Sequence, residues 1–113
     1  IKIDCAVSEK AVTLENAELL TKLEPFGTGN EKPVFAMRGA EIVYINAMGS
    51  ENKHLRMSVR KNGRQLNCIG FFMGAYAQEL KTGDIVNLAF QMDINTYQGH
   101  RGVQLMLKDI QTT

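Results

Sequence analysis

Apolar and polar residues alternate along much of the chain, and the longest such stretch is Asp84–Gln111. Two alternating runs in this stretch are joined by a short segment, Thr96–Gly102, that is rich in turn-forming residues. Period-two alternation places the apolar residues of a strand on one face. The apolar positions are Val86, Leu88, Phe90, Met92 and Ile94 in the first run, and Val103, Leu105 and Leu107 in the second. We therefore expect a long hairpin, with Tyr97 and a cation in its loop and its apolar face packed on another sheet surface.

Three further strands and a short helix are predicted before this hairpin. The strand patterns are Val34–Met48, with Gly39 at a bend or bulge, then Lys53–Arg60 and Gln65–Phe71. Asn62-Gly63 between the last two is a strong signal for a tight hairpin turn. Phe72–Leu80 is typical of a short helix. In Lys53–Arg60 the alternation directs Leu55, Met57 and Val59 inward and His54, Arg56, Ser58 and Arg60 outward.

The first 32 residues have a different character and predict a helix with a linker. Ile1–Val12 is short and mixed, and is compatible with a terminal strand of a preceding domain. Thr13 is a suitable N-cap for a helix with an apolar stripe, which should stop near Leu23 because Pro25 disfavours helical geometry before it. The stripe comprises Ala17, Leu19, Leu20 and Leu23. The run of breakers that follows predicts a boundary, with a helix and linker in 1–32 and a β domain in 33–113.

The order strand, strand, strand, short helix, strand, strand is that of the oligonucleotide/oligosaccharide-binding fold (OB-fold). This fold is a mainly β, five-stranded Greek-key barrel with a helix between its third and fourth strands. Ligands bind such barrels on the face of the second and third strands, flanked by two loops. Here that face corresponds to Lys53–Phe71, and the loops to Gly49–Asn52 and Thr96–Arg101.

Charge is segregated along the chain although the net charge is only +1. Residues 49–64 carry five bases and one acid, Glu51, whereas residues 1–32 carry four bases and six acids. The bases of residues 49–64 are Lys53, Arg56, Arg60, Lys61 and Arg64. Such a cluster is either an anion-binding patch or a solvated face that maintains solubility. Its position on the ligand-binding face of the predicted barrel favours the first interpretation.

Composition excludes several other classes of protein. With 113 residues the chain fits one domain, and it has neither a signal-peptide pattern nor the roughly 20 apolar residues of a membrane helix. Ile1 in place of methionine suggests a piece of a longer chain. The two cysteines, far apart, indicate reduced thiols in a cytoplasmic protein. His54 and His100 lack a second ligand at metal-site spacing, and Cys68 fits a core position, so we expect no metal site and no catalytic residue in this chain.

Five segments resemble the C-terminal region of RecJ-type single-stranded-DNA-specific exonucleases. They are LEPFGTGN (23–30), PVFA (33–36), HLRM (54–57), IGF (69–71) and QLMLKDI (104–110), and the resemblance runs from about residue 13 to 110. It implies an OB-fold that helps to hold single-stranded DNA for a 5′–3′ exonuclease of DNA repair and recombination. It also implies that a divalent metal, Mn or Mg, is bound by upstream catalytic domains. One departure is Tyr97, since the family usually has tryptophan before the glycine of this loop.

These arguments together give a set of candidate DNA-binding residues. Arg56 and Arg60 should follow one strand face, where phosphates can pass, because the facing strand offers Gln65 and Asn67 rather than acids. Tyr97 is either a stacking platform or a lid on the barrel end. The full set is Lys53, His54, Arg56, Arg60, Arg64, Tyr97, His100 and Arg101. If about four cations each neutralise one phosphate, the log–log dependence of affinity on salt should have a slope of about −3.

Two other roles remain open at this stage. The basic face could receive an acidic peptide, such as the tail of single-stranded-DNA-binding protein, a partner that the family resemblance implies. The chain could also be a structural clamp that packs on the upstream catalytic domains. A nuclease activity of this chain alone is the weakest of these hypotheses.

Overall fold

The computed structural model describes residues 3–22 and 32–113, which form six strands and two helices. The strands are β1 (Cys5–Ala6), β2 (Phe35–Met48), β3 (His54–Lys61), β4 (Arg64–Gly70), β5 (Ile85–Tyr97) and β6 (His100–Thr112). The helices are α1 (Leu14–Lys22) and α2 (Tyr76–Glu79), and short 3-10 turns cover Glu9–Ala11 and Ser50–Asn52. The predicted helix over Phe72–Leu80 is thus confined to Tyr76–Glu79.

Strands β2 to β6 close into a barrel. The hydrogen-bonded order is β2-β3-β4-β6-β5, and β5 pairs back onto β2. All neighbouring pairs are antiparallel except β4 and β6, which are parallel. Helix α2 lies between the third and fourth barrel strands in sequence, and β1 adds a short sixth strand parallel to β2. The predicted five-stranded barrel with one intervening helix is confirmed.

The long strand β2 is bent, and it therefore pairs with β3 along one part and with β5 along the other, which closes the barrel. Gly39 has a left-handed backbone (φ +70°), and the β2–β5 register shifts between Met37 and Ala40. This is the predicted bulge, which lets one strand turn the corner of a barrel. A second shift, between Ile42 and Tyr44 in the pairing with β3, leaves Val43 as the extra residue.

The barrel interior is filled by the alternating apolar residues. The most deeply buried side chains include Phe90, Met37, Ile42, Leu55, Met57, Leu88 and Leu105. The predicted inward positions Leu55, Met57 and Val59 are at most 1% exposed. Ser58 lies on the opposite face, as predicted, but is nearly covered there.

The two hairpin turns are both tight. Asn62 and Gly63 take left-handed φ values of 50° and 79°, as the predicted two-residue turn requires. The second hairpin turns at Gln98 and Gly99, with φ of 50° and 80°, rather than through a loop over Thr96–Gly102. The predicted seven-residue loop is therefore wrong, because a left-handed residue pair at its centre allows the strands to continue to the tip.

The N-terminal residues that the structure describes pack on the barrel. The hydroxyl of Thr13 accepts a hydrogen bond from the Asn16 N–H (3.0 Å), which confirms the predicted cap. Val12 and Ala17 belong to the core, but Leu19 is exposed, so the predicted stripe is wrong at that position. Leu23 and the breaker run from Pro25 to Glu31 lie outside the described residues. The domain boundary at residues 32 and 33 stays a prediction.

Buried Glu9 fastens this N-terminal segment to the β3–β4 turn. Its carboxylate accepts a hydrogen bond from the Asn62 side-chain amide, and its carbonyl accepts one from the Arg64 guanidinium. The Asn62 hydrogen bond holds the pKa of Glu9 below its ordinary value of 4.5. The ionised carboxylate therefore contributes to holding the segment in place.

Candidate nucleic-acid interface

A cleft of about 560 Å³ crosses the outer face of β2, β3 and β4 and is bounded by the β5–β6 hairpin. We refer to it as the cleft. Its lining consists of Tyr44, Met48, Arg56, Met57, Ser58, Asn67, Cys68, Ile69, Asn95, Tyr97 and Gln104. This is the face on which OB-folds bind their ligands.

Strand pairing explains why these side chains share one surface. Tyr44 lies opposite Ser58, and Ser58 lies opposite Asn67 on the next strand. Directly opposed residues in a sheet point to the same side, and residues two apart on a strand do so as well. Arg56 and Ile69, another opposed pair, therefore extend the same surface. The floor is fixed by a hydrogen bond from the Ser58 hydroxyl to the Asn67 side-chain oxygen (2.8 Å).

Arg56 is the cation that the structure places in the cleft. Its side chain is exposed, and it forms no ion pair with any carboxylate in residues 3–22 and 32–113. A guanidinium offers five N–H donors in a planar fork that suits phosphate oxygens. The predicted position of Arg56 on the ligand-facing side of β3 is thus matched by the structure, and its charge is available to an anion.

Two tyrosines border the cleft. Tyr97, at the end of β5, is 69% exposed, and Tyr44, on β2, is 45% exposed. Tyr97 is paired with His100 across the hairpin, so both side chains point to the cleft side. Exposed aromatic rings beside a cation are the arrangement on which nucleobases stack in single-strand-binding proteins. Because Tyr97 projects from a strand and lines an open cleft, its position favours the stacking platform over the lid.

Arg60 shares the outer face of β3 but already has a carboxylate partner. Its guanidinium nitrogen lies 3.3 Å from a carboxylate oxygen of Glu41, which is opposite it on β2. The expectation that Arg60 meets no acid is therefore wrong, because it considered only the β4 neighbours. Both side chains are about half exposed, and pairs of this kind contribute at most about 1 kcal/mol.

Lys53 and His54 lie at the end of this face where β3 begins. The Lys53 ammonium is 3.9 Å from the Glu51 carboxylate, in an exposed contact. The His54 Nδ1 accepts a hydrogen bond from the Phe72 N–H (3.1 Å), and its ring meets the rings of Phe71 and Phe72 edge-on. His54 thus organises a neighbouring turn in addition to facing the surface.

Arg64 and Arg101 point away from the cleft. Arg64 is opposite Lys61 at the β3–β4 turn, and its guanidinium donates a hydrogen bond to the backbone carbonyl of Glu9 in the N-terminal segment. Arg101 is one position from His100 and so falls on the other face of the hairpin, where it lies 3.7 Å from Glu18 of α1. The sequence placed both near the ligand face because it could not assign the side of the sheet at either hairpin end.

The structure adds cleft residues that sequence reasoning missed. The main ones are Tyr44, Ser58, Asn67 and Gln104, and Gln104 donates to Asp93 (3.3 Å) at the cleft edge. Asp93 in turn faces the Lys32 ammonium at 3.9 Å. An exposed tyrosine in a predicted strand was the available signal for Tyr44, but the bulge at Val43 concealed which face it occupies.

Catalytic chemistry finds little support in the described residues. Within residues 3–22 and 32–113, no three His, Cys, Asp or Glu side chains come together as a metal site would require. Cys68 is buried, and burial raises the pKa of its thiol, so it does not resemble an activated nucleophile. None of the helices in the same ranges is long and apolar enough to cross a membrane.

A closed five-stranded barrel with an aromatic and cationic cleft on this face defines an OB-fold protein. The fold recurs, with a TM-score of 0.52 and 14% identity, in a replication protein A heterotrimer bound to ssDNA, over 75% of this chain and 61% of that chain. It also recurs in RecJ from Thermus thermophilus, in complex with Mn²⁺, with a TM-score of 0.56 and 24% identity over 86% of this chain and 14% of that chain.

The family is established by sequence. A model described as the RecJ OB domain matches residues 3–109, so the chain belongs to the RecJ OB domain family. The single-stranded-DNA-specific exonuclease RecJ of Bacillus subtilis (strain 168) is 28% identical over 108 residues, which is 96% of this chain. The chain spans only 14% of the length of that relative.

Proposed function

We propose that this chain binds single-stranded DNA in the cleft, as the DNA-holding module of a RecJ-type 5′–3′ exonuclease. The observation that carries the proposal is that the exposed Arg56, without an ion-pair partner among the described residues, lines the same cleft as the two exposed tyrosines Tyr44 and Tyr97. The name of the Bacillus subtilis relative, a single-stranded-DNA-specific exonuclease, supports this choice of ligand. The parent protein would act in DNA repair and recombination in the cytoplasm.

Each part of the cleft has a role in this proposal. Arg56 contacts a backbone phosphate, and the tyrosine rings stack on bases, which is sequence-tolerant because every base has an aromatic face. Asn67 and Gln104 offer amide groups for hydrogen bonds to bases or sugars. The expected result is weak binding with little sequence preference, suited to a module tethered to a catalytic domain.

Hydrolysis belongs to other parts of the parent protein in this proposal. A RecJ-type nuclease would use a divalent metal, Mn or Mg, and the described residues of this chain do not offer a matching ligand group. This chain therefore contributes retention of the strand, and the catalytic domains of the parent protein contribute the chemistry.

The test is a fluorescence anisotropy titration of labelled oligothymidylate with the 113-residue chain and its Tyr97 variants. Loss of one stacked base costs roughly 1–3 kcal/mol, so Tyr97→Ala should weaken binding about tenfold. Tyr97→Phe keeps the ring and should retain most of the affinity. Equal affinities of Tyr97→Ala and the unchanged chain would refute the assignment of this cleft.

An acidic peptide is the competing ligand for the same cleft. Adding the acidic tail of single-stranded-DNA-binding protein to the preformed DNA complex distinguishes the two roles. Under the DNA proposal, the peptide displaces the oligonucleotide only weakly, because it supplies carboxylates for Arg56 but no bases for Tyr44 and Tyr97. Strong peptide binding that depends on Arg56, without measurable DNA binding, would favour the docking role instead.

A further inference from the structure

An aromatic corner lies at the end of the cleft where β3 begins. It consists of His54, Phe71 and Phe72, whose rings touch edge-on. The His54 ring centroid is 5.4 Å from that of Phe71 and 5.1 Å from that of Phe72. Phe71 is 51% exposed and Phe72 is 80% exposed. Two neighbouring phenyl rings so accessible to solvent are unusual for packing residues.

The corner continues the cleft rather than standing apart from it. His54 is two residues before Arg56 on β3 and lies opposite Met48 of the cleft lining, so it shares their side of the sheet. Phe71 directly follows β4, and its ring contacts that of His54. Two residues of a strand span roughly 7 Å, which is the order of the spacing between neighbouring contacts in the cleft. A strand that leaves the cleft along β3 and β4 would meet these rings next.

Specific contacts fix the position of Phe72. Its backbone is left-handed (φ +61°), a conformation that bulky residues rarely adopt, and its N–H donates to the His54 Nδ1 at 3.1 Å. The His54 ring packs closely on Gly49, where a side chain would collide with it, since a Cβ there would lie only 2.8 Å from its Cδ2. Backbone conformations of this kind concentrate at ligand-binding sites, where the surrounding structure enforces them.

We propose that Phe72, presented by His54 and flanked by Phe71, is a second stacking platform that receives bases of the DNA strand beyond the cleft. The inference rests on the proposed function and extends the DNA path of the same face. The occupant is a nucleobase because the corner is continuous with the cleft and the available cation of that surface, Arg56, is two residues from His54. Stacking needs only an accessible ring face, which Phe72 offers.

The experiment compares a short and a long oligothymidylate, of about 4 and about 16 nucleotides, the limits of OB-fold site sizes. Phe72→Gly removes the ring and accepts the left-handed backbone without strain, so the fold is retained. It should weaken binding of the long oligonucleotide about tenfold and leave the short one unchanged, because only the long one reaches beyond the cleft. Leu19→Ala, which alters an apolar residue of α1 that is 52% exposed, is the control and should change neither affinity.

Phe72→Trp provides a direct reading of stacking. The chain has no other tryptophan, so its fluorescence should be quenched by the long oligonucleotide and not by the short one. If Phe72→Gly leaves both affinities unchanged while Tyr97→Ala weakens both, the corner serves another partner and this inference is overturned, although the cleft assignment stands. Equal weakening of both lengths by Phe72→Gly also overturns it. An unchanged affinity of Tyr97→Ala would instead refute the proposed function.

Discussion

Replacing Glu41 by glutamine should strengthen DNA binding, because it releases the guanidinium of Arg60 for a phosphate. The two side chains form a half-exposed ion pair on the same outer face as Arg56. Loss of such a pair costs the fold less than about 1 kcal/mol, so the variant should remain folded. The exchange converts a neutralised cation on the binding face into an available one.

The salt dependence gives this prediction a magnitude. A single strand contributes a log–log slope of about −0.7 for each phosphate neutralised. Among the residues that the structure describes, Arg56 has no carboxylate neighbour, whereas Lys53, Arg60 and Arg101 do, so the unchanged chain should show a slope of about −0.7. This is shallower than the −3 expected from the sequence. Between about 50 and 200 mM salt, affinity should then fall roughly threefold rather than about 60-fold.

Three variants separate the contributions in anisotropy titrations over that salt range. Arg56→Ala should bring the slope about 0.7 closer to zero, and Glu41→Gln should steepen it by about 0.7. Glu79→Gln is the matched control, because it changes the net charge equally from a position on α2 outside the cleft lining. Its slope should equal that of the unchanged chain.

Two results would refute this reasoning. If Glu79→Gln steepens the slope as much as Glu41→Gln does, net charge rather than the local ion pair governs binding. If Arg56→Ala leaves the slope unchanged, its guanidinium does not contact phosphate. Either outcome would require a different surface for DNA.

Two further predictions concern stability. Gly74→Ala should lower the free energy of unfolding by about 3 kcal/mol, because the added Cβ would lie 1.9 Å from the carbonyl oxygen of Asn52. Gly102→Ala is the control, since a Cβ added there would have no neighbouring atom within 4 Å. Equal denaturation midpoints for the two variants would contradict the predicted clash. The lowered pKa of Glu9 stabilises the fold fully above pH 4.5, and this contribution is lost as pH falls through the folded-state value below 4.5. Asn62→Gly should reduce that acid-dependent loss in denaturation measured from about pH 5 to pH 3, and an identical pH dependence would argue against the Glu9–Asn62 contact.

The barrel could be predicted from the sequence because its signals are local. Alternation identified the inward residues of β3, β5 and β6, and Asn62-Gly63 fixed the turn between β3 and β4. The side of the sheet was correct for Arg56, which lies in the middle of a regular strand. These features depend on neighbours within a few residues, where strand geometry leaves little freedom.

The ion pairs and hairpin ends could not be predicted because they depend on register. Glu41 meets Arg60 only through the bulged pairing of β2 with β3, and bulges shift the facing residues by one position. Arg101 fell on the other face because the hairpin turns through two residues instead of seven. A shift of one position moves a strand residue to the other face of the sheet. The wrong predictions therefore fall next to turns and bulges, which determine the strand register.

The two-residue turn at Gln98 and Gly99 has a consequence for the entropy cost of the proposed DNA binding. Tyr97 and His100 belong to paired strands right up to the tip, so their backbone is already ordered before DNA arrives. A flexible loop would lose conformational entropy on binding, at about 1–2 kcal/mol for each residue that becomes fixed. The ordered backbone at Tyr97 and His100 avoids that loss, so less of the free energy gained from contacts with DNA is spent on ordering the chain.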